Sequence, residues 1–135
     1  MLSALDSLRD ARRRRLWDRD KASGRRGEDL AHRFLRGRGC TVVARNYRTL
    51  SGSGEIDLVV WDGGKLAFVE VKTRATDEYG PPEQAVNPEK RCHLMRVARE
   101  YARKTGTPWE RVRFDIVSIV LRQPPEIALL KAAFR

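Results

Sequence analysis

Apolar residues follow two rhythms along this chain, and the switches between them mark its elements. Leu30, Ala31, Phe34 and Leu35 recur at helical spacing. The stretch from Ser23-Gly24 to about Arg38 therefore reads as a helix ended by Gly37 and Gly39. Val42 and Val43 sit in a strand over Thr41 to Tyr47. A Gly/Ser loop, Leu50 to Gly54, leads into two strand-like runs, Glu55 to Trp61 and Lys65 to Thr73. They meet at Asp62-Gly63-Gly64-Lys65, a tight-hairpin signal. After Gly80, Pro81 and Pro82, Pro88 suits the start of a second helix. Leu94, Val97, Ala98 and Tyr101 give that helix a buried face, and Gly106 and Pro108 stop it after about Lys104. Val112 to Leu121 reads as a strand, Pro124-Pro125 breaks it, and Ile127 to Leu130 reads as a short last edge strand.

The order is helix, three strands, helix, then one or two strands, which predicts an α/β layered domain. Both faces of the hairpin are largely apolar: Val59, Trp61, Leu66 and Phe68 on one, Ile56, Leu58, Val60, Ala67, Val69 and Val71 on the other. A sheet covered by helices on both sides explains that. The 135 residues suffice for one core. Residues 23–135 form the expected domain, and residues 1–22 a basic arm or short helix carrying Arg12 to Arg15. A solvated tail explains the arginine run equally well.

The hairpin also carries the chemistry. If Gly63-Gly64 are the two turn residues, Asp57 lies opposite Glu70 and Glu55 opposite Lys72, all on one face. A slip of one residue would separate the two carboxylates. Facing carboxylates at the end of a buried surface repel one another and lose solvation, so they call for a proton, a cation or a metal. Oxygen donors on a rigid hairpin suit Mg²⁺ or Mn²⁺. Such an ion, held by Asp57 and Glu70, would activate water against a phosphate, with Lys72 orienting that water or offsetting charge. Glu28, early in the first helix, is either a further ligand or partner of Lys72, or an acid placed for the helix dipole. The competing reading of the quartet is a salt-bridge cluster: Glu55 with Lys72, and Asp57 with Arg48 or Arg74.

Charge strengthens the phosphate reading. The net charge is +10, with 34% charged residues, which points to a polyanion and to nucleic acid ahead of membrane. Arg96, Arg99 and Arg103 lie away from the Leu94 stripe, and Lys90 and Arg91 lie at the helix start. With Gln84 in the preceding loop they form the expected nucleic-acid contacts, and Lys90 has a second option of pointing back to the carboxylates. A solvated basic face is the alternative. Three Trp and three Tyr show no obvious stacking platform in the sequence. No apolar run approaches the roughly 18 residues of a membrane span, and no secretory signal pattern follows the first arginines. Cys40 and Cys92 have no CxxC spacing, and His32 and His93 stand apart, so structural zinc is not expected. Together these features predict a cytoplasmic protein without a membrane partner.

Asp57 followed by Glu70-Val71-Lys72 resembles the (D/E)-x(n)-(D/E)-x-K signature of the restriction-endonuclease-like PD-(D/E)XK superfamily. Gly27-Glu28, Asn46-Tyr47-Arg48, Gly54-Glu55-Ile56-Asp57-Leu58, Phe68 to Arg74 and Arg113 to Val117 more closely resemble the bacterial YraN-like family, similar in fold to archaeal Holliday-junction resolvases. The likeness covers about residues 23–120; Ile56, not proline, precedes Asp57. The resemblance implies a three-layer fold with a central mixed β-sheet. It carries metal-ligand roles onto Asp57 and Glu70, the catalytic-lysine role onto Lys72 and an accessory role onto Glu28. The expected activity is a Mg²⁺- or Mn²⁺-dependent endodeoxyribonuclease acting on DNA rather than RNA, with branched or single-stranded DNA as candidate substrates. A non-catalytic nucleic-acid-binding module and a basic scaffold for an acidic protein are the alternatives. Symmetric cutting of two strands would suit a homodimer.

Overall fold

The computed structural model describes residues 24–50, 52, 54–75 and 86–134. The Arg12–Arg15 arm and Gln84 lie outside the described residues. The described part of helix α1 covers residues 24–37. Gly39, at φ 86°, turns the chain left-handed, so that Cys40 N–H reaches the Leu35 carbonyl at 3.0 Å and Gly39 N–H that of Arg36 at 3.0 Å. This closure satisfies carbonyls that the helix end would leave bare. Strands β1 (Thr41–Arg48), β2 (Glu55–Asp62) and β3 (Lys65–Arg74) follow. Then come helix α2 (Pro88–Thr105), a 3₁₀ turn (Trp109–Arg111), β4 (Val112–Val120) and β5 (Glu126–Phe134).

The five strands form one sheet in the order β1-β2-β3-β4-β5. Only β3 and β4 run parallel, joined by the α2 crossover; the other pairs are antiparallel. This mixed α/β architecture is consistent with the restriction-endonuclease-like fold expected from the sequence. The hairpin forms as expected: Gly63 and Gly64 both take positive φ, 55° and 94°, and Asp62 pairs with Lys65. Two consecutive positive-φ residues define the tight turn whose twist matches the strands.

Each helix covers one face. Leu94, Val97 and Ala98 of α2 pack with Ile56, Val59, Leu66, Phe68, Phe114 and Ile116. Ala31 and Leu35 of α1 pack with Leu58, Val60, Ala67, Val69, Val117 and Ile119 on the other side. Fully burying such a side chain stabilises by about 1.5–3 kcal/mol, so the two apolar layers fix where the helix ends fall. Gly27 brings α1 close against β3: a Cβ there would lie 1.9 Å from Thr73 Oγ1. α2 is capped by the Asn87 side chain, which accepts from Lys90 N–H at 2.8 Å, with Pro88 in its first turn.

Two expectations are corrected. Ile56 packs on the α2 side with Val59, not on the face of Leu58 and Val60. In β1, Arg45 ion-pairs with α1 whereas Tyr47 joins the α2-side core. Alternation therefore breaks at both Asn46 and Asp57. Asn46 takes φ 51°, a left-handed conformation that asparagine tolerates better than most residues. The last strand is also longer than Ile127 to Leu130, running on to Phe134, whose ring stacks on Phe114 at 5.0 Å. Its pattern is disguised by an irregularity opposite Asp115, where Ala132 (φ 52°) donates its N–H to the Asp115 carboxylate at 3.0 Å.

Candidate active site

The β2–β3 ladder carries backbone pairs from Asp62↔Lys65 to Leu58↔Val69 and then stops. The register puts Asp57 and Glu70 at the next position. There the Asp57 carboxylate, through Oδ2, accepts the Val71 N–H at 2.8 Å. A side chain thus takes over from the backbone where the strands part. The opening leads into a cavity of about 670 Å³ lined by Glu28, Glu55, Asp57, Glu70, Lys90 and His93, among others. Among the described residues, α1 (through Glu28) and the first turn of α2 (through Lys90) both reach it.

Electrostatics at this end are compressed. Glu70 is 6% exposed. Its Oε1 bonds the Lys90 ammonium and lies 3.5 Å from the Lys72 ammonium. Burial pushes the Asp57 carboxyl up to about 7; the Glu70 and Glu28 charges add to this, while the Val71 N–H and Lys90 oppose it. Burial, helped by the adjoining Lys90 ammonium, lowers Lys72. Burial also disfavours charged Lys90, but the Glu70 carboxylate outweighs it and the net shift is upward. One acid near neutrality, a second tied to two ammonium groups, and a lysine lowered by its surroundings form a perturbed cluster of the kind found at functional sites and in structural ion-pair networks alike.

The expected site residues do not all gather. Asp57, Glu70, Lys72 and Lys90 come together, so Lys90 takes the second of its two expected positions. Glu28 reaches the cavity, but its partners are Asn46, whose Nδ2 donates to it at 3.2 Å, and Arg45 at 3.7 Å, not Lys72. Glu55 does not face Lys72. It pairs with Arg48 across the β1 ladder and bonds that guanidinium at 3.0 Å. The salt-bridge alternative is thus met for neither Glu55 with Lys72 nor Asp57 with Arg48. Arg91 is committed to the scaffold: its Nε donates to the Val86 carbonyl and its guanidinium lies over the Phe134 ring. Arg96, Arg99 and Arg103 stand on the exposed face of α2. Sequence reasoning misses Asn46, which holds Glu28 from the β1 kink; its place in the Asn46-Tyr47-Arg48 motif is the one signal for it.

The buried Glu70 and half-buried Asp57 carboxylates are hard oxygen donors of the kind that suit Mg²⁺ or Mn²⁺. Among the described residues no group of three or more His, Cys, Asp or Glu side chains is arranged around one point. An ion here would draw two protein carboxylates and complete its shell with water, as Mg²⁺ commonly does.

Fold and site together define an α/β domain of restriction-endonuclease-like architecture with a carboxylate–lysine cluster at the open end of its hairpin. Residues 27–119 match the model of the uncharacterised protein family UPF0102. A UPF0102 protein of Solibacter usitatus is 58% identical over 99% of this chain and all of its own length. One from Koribacter versatilis is 51% identical over 83% of this chain and 78% of its own, and one from Pelotomaculum thermopropionicum 34% identical over 84% and 93%. The chain belongs to the UPF0102 family, the YraN-like group that its motifs resemble. No helix among the described residues is long and apolar enough to cross a membrane.

Proposed function

We propose that this protein is a divalent-metal-dependent nuclease acting on DNA. The observation that carries the reading is the half-buried Asp57 carboxyl set beside the buried Glu70, with Lys72 at 3.5 Å from Glu70. A chain selected only to bind phosphate would gain by losing these acids, which repel it. Asp57 and Glu70 would hold Mg²⁺ or Mn²⁺, and the bound ion would supply Lewis-acid polarisation of a phosphodiester and an effective nucleophile near neutral pH. Asp57 is oriented by the Val71 N–H, so its carboxylate needs little rearrangement to serve. Lys72 offsets charge that grows on the phosphate oxygens as water adds to phosphorus and the P–O bond breaks. Lys90 steadies Glu70 and presents a second cation to the polyanion. The arginines of α2 extend the positive surface away from the cavity, and the free thiols Cys40 and Cys92 suit a reducing, cytoplasmic setting.

The test incubates the protein with plasmid, single-stranded and four-way-junction DNA in Mn²⁺, Mg²⁺ or EDTA, beside Asp57→Ala and Glu70→Ala. Metal-dependent cleavage lost in both variants is expected. Cleavage surviving both substitutions would refute the assignment.

A second reading has its own support. Lys90 and Lys72 already balance much of the Glu70 charge, so the cluster is tolerable without an ion. A binding module that no longer turns over would show salt-sensitive DNA affinity, no cleavage on any substrate and no Mn²⁺-dependent rise in melting temperature.

A further inference from the structure

A large aromatic ring stands in the open at the far end of α2. Trp109 is 39% exposed, against the general rule that such rings are mostly covered. It sits between two hollows. One, about 540 Å³, is walled by Arg99, Arg103 and Pro108; the other, about 500 Å³, by Met95, Phe114 and Phe134. Both volumes fall in the range of about 300–1,000 Å³ typical of small-ligand clefts. The Arg99 guanidinium lies 4.9 Å from the centre of the Trp109 ring, and Phe114 meets the ring edge-on at 6.2 Å.

The mounting is firm. Gly106 (φ 68°) caps α2, the Thr105 and Thr107 hydroxyls bond at 2.8 Å, Arg111 N–H reaches the Pro108 carbonyl at 3.0 Å, and Lys65 Nζ holds the Glu110 carbonyl at 3.2 Å. A fixed, half-exposed indole with arginines on one side and an aromatic floor on the other matches what an unpaired nucleotide presents: a phosphate for the guanidinium and a flat base for the ring. Lys90 at the carboxylates and Arg103 here lie on one helix, about 20 Å apart at 1.5 Å per residue. That is roughly six steps of duplex at 3.4 Å each.

We infer that Trp109, with Arg99 and Arg103, forms a stacking site for an unpaired base, so that the preferred nucleic acid carries a single-stranded tail or a branch beside its duplex. The inference rests on the nucleic-acid part of the proposed function and names its substrate class. It also departs from the sequence expectation of no stacking platform. That expectation counts aromatic residues and has no access to the turn that exposes this one.

The experiment measures fluorescence anisotropy in EDTA with three labelled ligands: a blunt duplex, the same duplex with a single-stranded tail, and that tail made abasic. The expected result is tailed over blunt by roughly 10-fold, within the 1–3 kcal/mol that one base–aromatic stack contributes. The abasic tail should lose most of this advantage. Trp109→Ala should bring the tailed-to-blunt ratio close to one, Trp109→Phe should keep part of it, and Arg99→Gln with Arg103→Gln should reduce it. If circular dichroism shows Trp109→Ala misfolded, the abasic ligand and Trp109→Phe decide. Equal binding of abasic and base-bearing tails, or a ratio of one in the wild type, overturns the inference. So does binding of an acidic peptide as tight as that of the tailed duplex. EDTA separates this from catalysis: a failed cleavage assay with the base-dependent preference intact sinks only the nuclease reading.

Discussion

Replacing Asp57 with asparagine should make this protein more stable above neutral pH, an unusual outcome at a proposed catalytic position. The Asp57 carboxyl is raised from 3.8 to about 7 by burial and by the Glu70 charge. Well below pH 3.8 it is neutral in folded and unfolded chains alike, and the substitution should change little. Between about 4 and 7 the unfolded chain ionises while the folded carboxyl stays protonated, so the wild type loses stability as pH rises. Above 7 the loss is complete. Each pK unit is worth about 1.36 kcal/mol, and the shift of about three units sets a ceiling of about 4 kcal/mol; coupling to Glu70 makes about 2–4 the working range. The amide oxygen introduced by Asp57→Asn can still accept the Val71 N–H, so the comparison isolates charge from geometry. Urea titrations of both proteins from about pH 4.5 to 8.5 in EDTA read the difference directly. The two should be close at the acid end and diverge towards pH 8, with the variant ahead. A gap that stays constant with pH, or a wild type more stable at pH 8, would refute the electrostatic account of the site. Saturating Mn²⁺ at pH 8 should then raise the wild type, by about 2.7 kcal/mol at a hundred times Kd, and not the variant.

Four further outcomes follow from the same structure. Lys90→Met leaves Glu70 with Lys72 alone and should cost about 1–3 kcal/mol at pH 8 by chemical denaturation, with a larger Mn²⁺ recovery than in the wild type. Gly27→Ala drives a methyl into Thr73 and should destabilise by about 1–3 kcal/mol, while cleavage falls because Glu28 is carried away with the turn. Tyr47→Phe removes a buried hydroxyl that has no hydrogen-bond partner among the described residues, so thermal melting should be unchanged or raised. Replacing Arg96, Arg99 and Arg103 together with glutamine should flatten the salt dependence of duplex binding, by up to about 0.9 in log–log slope for each phosphate that is no longer neutralised.

The parts of this fold whose periodicity is undisturbed are legible in the amino-acid sequence. Gly63-Gly64 permits one tight turn, and that turn alone sets Asp57 beside Glu70. The Leu94, Val97, Ala98 stripe marks the buried face of α2, and β4 is apolar on both faces because both helices cover it. Legibility fails where the backbone leaves its period. The left-handed Asn46 and the change of face at Asp57 put Ile56 on the α2 side, and no count of alternating residues anticipates that. Glu55 escapes the pattern for the same reason: beyond Leu58 the β2–β3 ladder ends, and the nearest cross-strand neighbour of Glu55 is Arg48 in β1. The tail of β5 beyond Leu130 is missed because Ala132 leaves strand geometry (φ 52°) and is held in the sheet by the Asp115 carboxylate. Trp109 cannot be recognised at all, because its exposure follows from a turn geometry that no local pattern encodes.

The bond from Val71 N–H to Asp57 Oδ2 makes one amide proton a witness to the state of the cluster. In a nitrogen–proton correlation spectrum its resonance should shift as Asp57 titrates near neutrality and again when Mg²⁺ takes up the carboxylate. A single isotope label on valine would therefore let occupancy and protonation be followed in solution, residue by residue, with no DNA present and no turnover required.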